Sequence, residues 1–269
     1  MKVAYVGIDI LLPVLTNLYD TGVEIVKVIT CETDNYTEFN TQTIEFANEH
    51  NIPVEIKKIT KQDLYELVEM GCEFMLVAGY THRIPVIPEL RIVNTHPAIL
   101  PIGRGAWPMP LTILKGLKES GVTMHQMEAT LDTGKILIQK TCPVYPIKDD
   151  LKTLSERQLC LIPDMVKELV SNFDELWENA RPQGEGEYWE MPSVEQYTVT
   201  SEMTFAEADL ILRAFKGYEC FYIDTKTKKK YEIIDGVAFK SEETKYNQPT
   251  DLKLEDGYIR CDRIRNVEL

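Results

Sequence analysis

The chain has 269 residues, of which 44% are hydrophobic, so it can form a sizeable core in one large domain or in one domain with a smaller companion. Acidic residues outnumber basic ones 43 to 29, and the net charge of −14 argues against long nucleic acid as a partner unless a local basic face compensates. The six cysteines form no C-x-x-C pair and no segment has the apolar length of a membrane span, so we expect a cytoplasmic protein with reduced thiols and no membrane partner.

The first 80 residues alternate between apolar strands and amphipathic helices. KVAYVG, at residues 2–7, predicts a strand, and leucines at helical spacing over residues 11–18 predict a helix that ends at Gly22 and is capped by Asp9. The unit then repeats, because strand-like VEIVKVIT, IPVEI and FMLVAGY are separated by helix-like YTEFNTQTIEFANEH and KQDLYELVEMG. This alternation predicts an α/β fold with a mostly parallel, Rossmann-like sheet flanked by helices.

The middle of the chain is predicted to complete the same domain. The expected elements are a strand at residues 91–94, a helix at residues 109–121 that ends at Gly121, and strands at residues 122–128 and 135–146. A last helix is expected over residues 151–177, and Pro163 should kink or divide it.

The last part of the chain differs in composition. ENARPQGEGEY, at residues 178–188, has no apolar period and predicts a linker. Beyond it, Thr204 and Glu207 have the spacing of a capping box at the start of a helix, and short β-like runs follow, separated by turns such as DG and EDG. We therefore expect a first domain at residues 1–185 and a small β-rich, barrel-like domain at residues 186–269.

Three polar residues indicate a candidate site. Asn94 and His96 lie two apart at a strand end, so both side chains point to one face, and Asp132 lies in a loop between two strands predicted to return beside that face. An amide, an imidazole and a carboxylate in one crevice can donate to an oxyanion, move a proton and orient the proton carrier. With no G-x-S-x-G motif, no Cys-His pairing and no metal-binding histidine spacing, we expect acyl transfer to a nucleophile of the substrate and no metal.

The segments NTHPAILPIGRGAWP and LDTGKIL resemble the formyltransferase family that uses 10-formyltetrahydrofolate. The matching positions are Asn94, His96, Pro97, Leu100, Pro101, Arg104, Gly105, Leu131, Asp132, Thr133 and Gly134. The resemblance covers roughly residues 1–180 and is sharp from about 74 to 138. It implies a one-carbon transferase whose catalytic domain is residues 1–185 and whose catalytic triad is Asn94, His96 and Asp132.

The resemblance also implies where the co-substrate 10-formyltetrahydrofolate binds. GYTHRIP, at residues 79–85, stands where family members line the pterin pocket, and EATL, at residues 128–131, stands at the opposite wall. The residues implied to contact the folate are Tyr80, Arg83, Ile84, Pro85, Ile92, Ala129, Thr130 and Leu131.

The implied mechanism begins with attack of a substrate amine on the formyl carbon. Asn94 Nδ2 and a protonated His96 would then donate hydrogen bonds to the oxyanion. Asp132 would hold His96 in the required tautomer and favour its charged form.

We infer the class of the formyl acceptor by elimination. Residues 28–56 contain no Lys or Arg where tRNA-specific members carry a basic insertion, and GIDILLP replaces the phosphate-binding glycine loop of glycinamide ribonucleotide transformylase. We therefore favour a nucleotide-linked aminosugar as the small-molecule amine and disfavour tRNA. Four alternatives stay open: formylation of methionyl-tRNA, formylation of a free cationic amine, hydrolysis of formyltetrahydrofolate, and folate binding without catalysis. A homodimer is one oligomeric state that stays open.

The remaining polar residues have simpler interpretations. We expect His125 to be a packed or rim residue rather than a second base, and Arg104 to bond the carbonyls of its own loop rather than a phosphate. The rings of Tyr80 and Trp107 are candidates to stack on a base or on the pterin. DTKTKKK, at residues 224–230, is expected to be a solvated hairpin tip.

Overall fold

The computed structural model describes residues 1–240, 251–261 and 263–267, and the chain forms two compact units. The first unit comprises residues 1–106, 119–142 and 157–189, and the second comprises residues 107–118, 143–156 and the described residues from 190 onward. The last boundary lies four residues beyond the division expected at residue 185. The sequence did not predict that residues 107–118 and 143–156, which lie between segments of the first unit, belong to the second unit. Within the described ranges, no helix is long and apolar enough to cross a membrane.

The first unit is built on a seven-stranded sheet with the strand order β3-β2-β1-β4-β5-β7-β8. Its seven strands are β1 (Lys2–Gly7), β2 (Glu24–Thr30), β3 (Val54–Ile56), β4 (Phe74–Ala78), β5 (Arg91–His96), β7 (Glu119–Gln126) and β8 (Ile136–Pro143), and two further strands outside this sheet are β6 (Ile102–Arg104) and β9 (Glu187–Tyr188). β3, β2, β1, β4 and β5 pair in parallel, and β7 pairs antiparallel with β5. β6 and β9 form a separate parallel pair.

Helices cover both faces of this sheet. The helices of the described chain are α1 (Leu12–Asp20), α2 (Thr41–Glu49), α3 (Lys61–Glu69), α4 (Pro108–Leu114), α5 (Leu151–Leu159), α6 (Ile162–Ser171), α7 (Phe173–Glu178) and α8 (Phe205–Ala214), and of these α4, α8 and residues 151–156 of α5 belong to the second unit. Successive side chains of a strand point to opposite faces of the sheet, so each central strand contributes residues to two hydrophobic clusters, one on each face. Tyr5 and Leu76 pack with α1 and α6, whereas Val6 and Val77 pack with α3. Both faces are thus buried, as the continuous apolar strands predict.

Pro163 divides the long helix predicted at residues 151–177. The region forms α5, α6 and α7, and Pro163 lies in the first turn of α6. Its missing N–H costs nothing at that position, because the first N–H groups of a helix have no partner within the helix. The predicted interruption is confirmed.

The helix predicted at residues 109–121 is wrong in its second half. α4 ends at Leu114, Gly116 has a left-handed φ of +62°, and the chain continues as β7. Gly121, expected to end the helix, lies in β7, where a side chain would collide with the backbone carbonyl of Lys140. A strand glycine that allows close approach of a neighbouring strand looks like a helix stop when only the sequence is known.

Asp9 caps a different helix from the one predicted. It lies within a short 3-10 turn, and its carboxylate accepts hydrogen bonds from the N–H groups of Gln42 at 3.0 Å and Thr43 at 2.8 Å. These residues belong to the first turn of α2, whose own preceding residue provides no side-chain cap. The cap comes from a segment distant in sequence, and local spacing could not reveal it.

The second unit contains two small sheets and confirms the predicted β-rich C-terminal part. One sheet has the order β10-β11-β12-β16, and the other has the order β13-β15-β14. Their strands are β10 (Thr198–Thr200), β11 (Cys220–Ile223), β12 (Lys230–Ile234), β13 (Val237–Lys240), β14 (Leu252–Lys253), β15 (Gly257–Arg260) and β16 (Arg263–Val267). The predicted capping box is present, with Thr204 and Glu207 bonded reciprocally at the start of α8.

Candidate functional site

The candidate site lies where β5 ends beside β7. In this antiparallel pair Asn94 is directly opposite His125, so the two side chains lie on the same face of the sheet. Asp132 lies in the loop between β7 and β8 and reaches the same place. The structure therefore brings together the amide and the carboxylate predicted from the sequence, and it adds a second imidazole.

The carboxylate of Asp132 is the centre of this cluster. Its Oδ1 lies 3.4 Å from Asn94 Nδ2, which donates to it, and 3.5 Å from His125 Nε2. Its Oδ2 accepts the N–H of Gly105 at 3.0 Å and lies 3.7 Å from His96 Nδ1. Both oxygens thus have polar partners, although the residue is only 5% exposed.

The protonation state of Asp132 follows from these partners. Burial by itself would raise the pKa of the carboxyl group, but the charges of His96 and His125 and the N–H of Gly105 lower the pKa to about 2. Asp132 is therefore an anion at neutral pH, and its charge favours protonation of His96.

His96 is directed into the protein rather than into open space. The residue is 4% exposed, and its Nε2 lies 2.8 Å from the Gly103 carbonyl, so this nitrogen must carry a hydrogen and donate it. Its Nδ1 faces Asp132. Burial lowers the pKa of His96, and the nearby carboxylate of Asp132 only partly opposes this effect, so the neutral imidazole is favoured.

His125 is the residue that the sequence did not assign to the site. Its Nδ1 lies 2.8 Å from the Gln126 carbonyl and must donate to it, which leaves the Nε2 lone pair to accept from Asn94 Nδ2 at 3.2 Å. The sequence shows His125 alternating with apolar residues, as a packed side chain would. Its role becomes visible only through the antiparallel pairing of β5 with β7, which the sequence did not predict.

A cleft of about 550 Å³ opens above this cluster, within the first unit. Asn94, His125 and Asp132 are among its lining residues, and His96 is not. Six of the residues implied to contact a folate also line it: Tyr80, Arg83, Ile84, Pro85, Ala129 and Leu131. Of the other two, Ile92 is buried and Thr130 is exposed, and neither lines the cleft.

One wall of the cleft is held by Tyr80. Its hydroxyl donates to the Lys57 carbonyl at 2.7 Å and accepts the N–H of Ile59 at 3.1 Å. The ring of His82, which also lines the cleft, meets the Tyr80 ring edge to face at 5.6 Å. Trp107, the other ring considered for stacking, lies in the second unit and contacts Phe215 and Tyr218 there.

Arg104 has protein partners, as a structural role requires, but the prediction that they are carbonyls of its own loop is wrong, because they lie in a segment distant in sequence. Its Nε and Nη2 donate to Gln183 Oε1 at 3.0 and 2.9 Å, and Nη2 also donates to the Gly184 carbonyl at 3.1 Å. Among the residues that the structure describes, no group of three or more His, Cys, Asp or Glu side chains could hold a metal ion.

Comparison with known proteins identifies related sequences. A family model described as formyl transferase matches residues 10–166, which is more than half of the chain. The methionyl-tRNA formyltransferase of Ehrlichia canis is 35% identical over 136 residues, covering 48% of this chain and 45% of the relative. That of Lactobacillus gasseri is 28% identical over 239 residues, covering 84% and 73%. The chain thus spans about half the length of the first relative and nearly three quarters of the second.

Solved structures share the fold at low identity. A sugar N-formyltransferase from a Shewanella species has a TM-score of 0.67 at 20% identity, with 87% of this chain and 96% of that one covered. WlaRD, a sugar 3N-formyl transferase crystallised with dTDP and 5-N-formyltetrahydrofolate, has a TM-score of 0.65 at 19% identity, with 99% and 97% covered. The family match over residues 10–166 confirms the family indicated by the sequence motifs, and the chain belongs to the formyl transferase family.

Proposed function

We propose that the protein transfers a formyl group from 10-formyltetrahydrofolate to a primary amine of a small substrate. The observation that carries this proposal is the arrangement of Asn94, His125 and Asp132 in one cleft of a formyl transferase chain. An amide donor, an imidazole lone pair and a carboxylate supply what amine attack on a formyl carbon requires. The wall formed by Tyr80 and Ile84 gives the cleft an apolar side suited to a pterin.

The first step is attack of the amine nitrogen on the formyl carbon, which forms a carbon–nitrogen bond and leaves negative charge on the formyl oxygen. Asn94 Nδ2 is the side-chain amide donor in the cleft that can turn toward this oxyanion. In the structure, that same Nδ2 donates to His125 Nε2. Turning Asn94 to the oxyanion would therefore release the His125 lone pair at the moment when the attacking amine must lose a proton.

The proton then has an acceptor and a counter-charge. His125 Nε2 takes it, and the Asp132 carboxylate, 3.5 Å away, stabilises the imidazolium. Cleavage of the bond between the formyl carbon and N10 of the folate follows, and the imidazolium returns its proton to N10. We retain His96 in the proposed catalytic set for a different task than the oxyanion contact implied by the resemblance, because its Nε2 donates to the Gly103 carbonyl. Its Nδ1 lies 3.7 Å from Asp132 Oδ2, and because Nε2 carries the hydrogen of the neutral ring, Nδ1 pairs with this carboxylate only when the imidazole is protonated.

A nucleotide-linked aminosugar is the acceptor that we favour. Support comes from the two sugar formyltransferases, which share the fold over 96% and 97% of their own lengths, and from the absence of Lys and Arg in residues 28–56. The test is incubation with 10-formyltetrahydrofolate and a panel of nucleotide-linked aminosugars, with mass spectrometry of the sugar product. Formate release without any amine would instead identify a hydrolase, and folate binding without turnover would identify a non-catalytic relative.

Formylation of methionyl-tRNA is the second candidate. The Lactobacillus gasseri methionyl-tRNA formyltransferase matches 84% of this chain, which extends beyond the catalytic core into the second unit. The same assay, with aminoacylated initiator tRNA as the acceptor, separates the two functions. Formylation of the tRNA with every aminosugar unchanged would overturn our preferred acceptor while leaving formyl transfer intact.

A further inference from the structure

Residues 180–189, which we name the strap, follow α7 and are fastened at two points within the first unit. Near its start, Arg181 exchanges two backbone hydrogen bonds of 2.8 Å with Ile136 at the beginning of β8. Near its end, the N–H of Trp189 donates to the Arg104 carbonyl at 2.7 Å. The residues between these two points therefore have a fixed path across the unit.

Gln183 lies in the middle of the strap, and all four hydrogen bonds of its side-chain amide are made. Its Oε1 accepts from Arg104 Nε at 3.0 Å and from Nη2 at 2.9 Å. Its Nε2 donates to the carbonyls of Asp132 at 2.9 Å and Gly134 at 2.6 Å. The reverse orientation would set the NH₂ group against the guanidinium and the oxygen against two carbonyls, so the partners fix this orientation.

The two carbonyls belong to the turn that presents the Asp132 carboxylate. Asp132 has a left-handed φ of +54°, a conformation that is uncommon for residues with a side chain, although Asp adopts it more readily than most. On the other side of the turn, Gly134 lies so close to the Gln126 carbonyl that no side chain could fit. Gln183 therefore fastens the one turn from which the carboxylate projects into the site.

Arg104 connects Gln183 to the opposite side of the same carboxylate. The two neighbours of Arg104 both contact the site: the Gly103 carbonyl accepts from His96 Nε2 at 2.8 Å, and the Gly105 N–H donates to Asp132 Oδ2 at 3.0 Å. The guanidinium between them is fixed on Gln183. A continuous series of hydrogen bonds thus connects the backbone of residues 103–105, which contacts His96 and the Asp132 carboxylate, through Arg104 and Gln183 to the turn that contains Asp132.

We propose that Gln183, held by Arg104, is a positioning residue that sets the Asp132 carboxylate against Asn94, His96 and His125. This inference rests on the proposed function in so far as Asp132 takes part in formyl transfer. Gln183 is not among the residues that line the cleft, so its effect on the reaction passes through Asp132.

Two variants of Gln183 distinguish its hydrogen bonds with Arg104 from those with the carbonyls of Asp132 and Gly134. Gln183→Met is nearly isosteric and removes all four hydrogen bonds, whereas Gln183→Glu keeps the acceptor for Arg104 and sets a carboxylate oxygen against the two carbonyls. For both we expect kcat to fall about tenfold or more, because a catalytic group displaced by roughly 1 Å can cost on the order of 100-fold. We expect KM for the folate donor to stay within about twofold, because the lining of the cleft is unchanged.

Glu185, an exposed residue of the same strap, supplies the matched control. Glu185→Gln changes the charge of the strap without touching Arg104 or the turn, and kcat should stay at the parent value. The double variant Gln183→Glu, Glu185→Gln restores the parent net charge. If Gln183 acts by positioning the Asp132 carboxylate, kcat of the double variant should be as low as that of Gln183→Glu. Recovery of kcat in the double variant would show that the net charge of the strap is responsible and would overturn the proposal.

A second readout does not depend on turnover. Two-bond ¹H–¹⁵N spectra resolve the ring nitrogens of the four histidines, and in Gln183→Met the signals of His96 and His125 should move while those of His50 and His82 stay. Unchanged signals from all four, or kcat within about twofold of the parent, would overturn the proposal. Should the parent protein transfer formyl groups to no acceptor, the proposed function fails and these spectra still test the positioning.

Arg104→Lys covers the case in which the Gln183 variants do not fold. Lysine keeps the positive charge and loses the forked contact with Gln183 Oε1, so a smaller shift of the same two histidines is expected. Parent-like spectra of a folded Arg104→Lys protein would then count against the proposal.

Discussion

Asp132 lies beside Asn94, His96 and His125, and these three residues have different positions relative to the cleft. Asn94 and His125 face the cleft, whereas His96 lies within the protein with its Nδ1 3.7 Å from the carboxylate of Asp132. The motif resemblance indicated Asn94, His96 and Asp132 because their spacing is visible in the sequence. It could not indicate His125 or Gln183, because each meets Asp132 only through a strand pairing or a strap that forms in three dimensions.

Asn94→Ala tests the oxyanion donor. Removing one such donor typically costs on the order of 10² to 10³ in kcat, so formyl transfer should be nearly abolished while the thermal midpoint changes little. Steady-state kinetics of product formation measure the loss. Asn48→Ala, at an exposed position of α2, is the matched control and should keep parent kinetics. An Asn94→Ala protein with near-parent turnover would remove Asn94 from the catalytic set.

His96 makes stability depend on pH in a defined direction. Burial lowers the pKa of His96 below its ordinary value of 6.5, so below that pH the unfolded chain binds a proton that the folded protein resists. The free energy of unfolding should therefore decrease as the pH falls through 6.5 toward the lower pKa of the folded state. Urea unfolding at a series of pH values measures this decrease.

His96→Gln should flatten that part of the pH profile, because the titrating group is absent. His82→Gln, which alters a partly exposed histidine of the cleft, is the control and should keep the parent slope. Equal slopes for the parent and His96→Gln would contradict the pKa shift assigned to His96.

At the scale of elements, the sequence predicted what depends on local pattern. The alternation of apolar strands with amphipathic helices predicted the parallel sheet, and Pro163 predicted the break between α5 and α6. The errors occur where a distant segment decides the local structure. Gly121 belongs to β7 because β8 passes close to it, and Asp9 caps α2 because the fold brings the two together.

Gly121→Ala tests the close approach of β7 and β8. The added methyl group would collide with the Lys140 backbone carbonyl, which cannot move without disturbing the sheet, so we expect a loss of about 1–3 kcal/mol in the free energy of unfolding. Gly184→Ala is the control, because nothing lies within 4 Å of the added atom and unfolded-state entropy should change stability by less than about 1 kcal/mol. Urea unfolding at one pH compares them, and equal stability of the two variants would contradict the packing argument.

At the scale of the whole molecule, every residue assigned to the site belongs to the first unit. Length and composition left open one large domain or one domain with a smaller companion, and the change in composition after residue 185 led us to expect a separate C-terminal part. The excursions of residues 107–118 and 143–156 into the second unit could not be predicted, because packing against distant elements, rather than local composition, places them there.

Binding of a folate in the cleft should stabilise the protein by mass action. With 5-formyltetrahydrofolate at about 100 times its Kd, the gain is about 2.7 kcal/mol, which thermal denaturation reports as a higher midpoint. Ile84→Arg places a charge in the lining of the cleft and should abolish the increase. Ile147→Arg, at a position that is 85% exposed in the second unit, should retain it. An undiminished increase in Ile84→Arg would place the folate elsewhere.

The path of the chain between the two units determines how the protein can be cut. α4 lies inside residues 107–118 and packs on α8, burying Met109, Leu111 and Ile113 within the second unit. An expression fragment truncated near residue 185 would keep α4 and lose the partner that shields it, exposing these apolar side chains to aggregation. Because segments of the two units alternate along the sequence, no single truncation point separates one unit from the other. Variants that test the proposed acceptor should therefore be made in the full 269-residue chain.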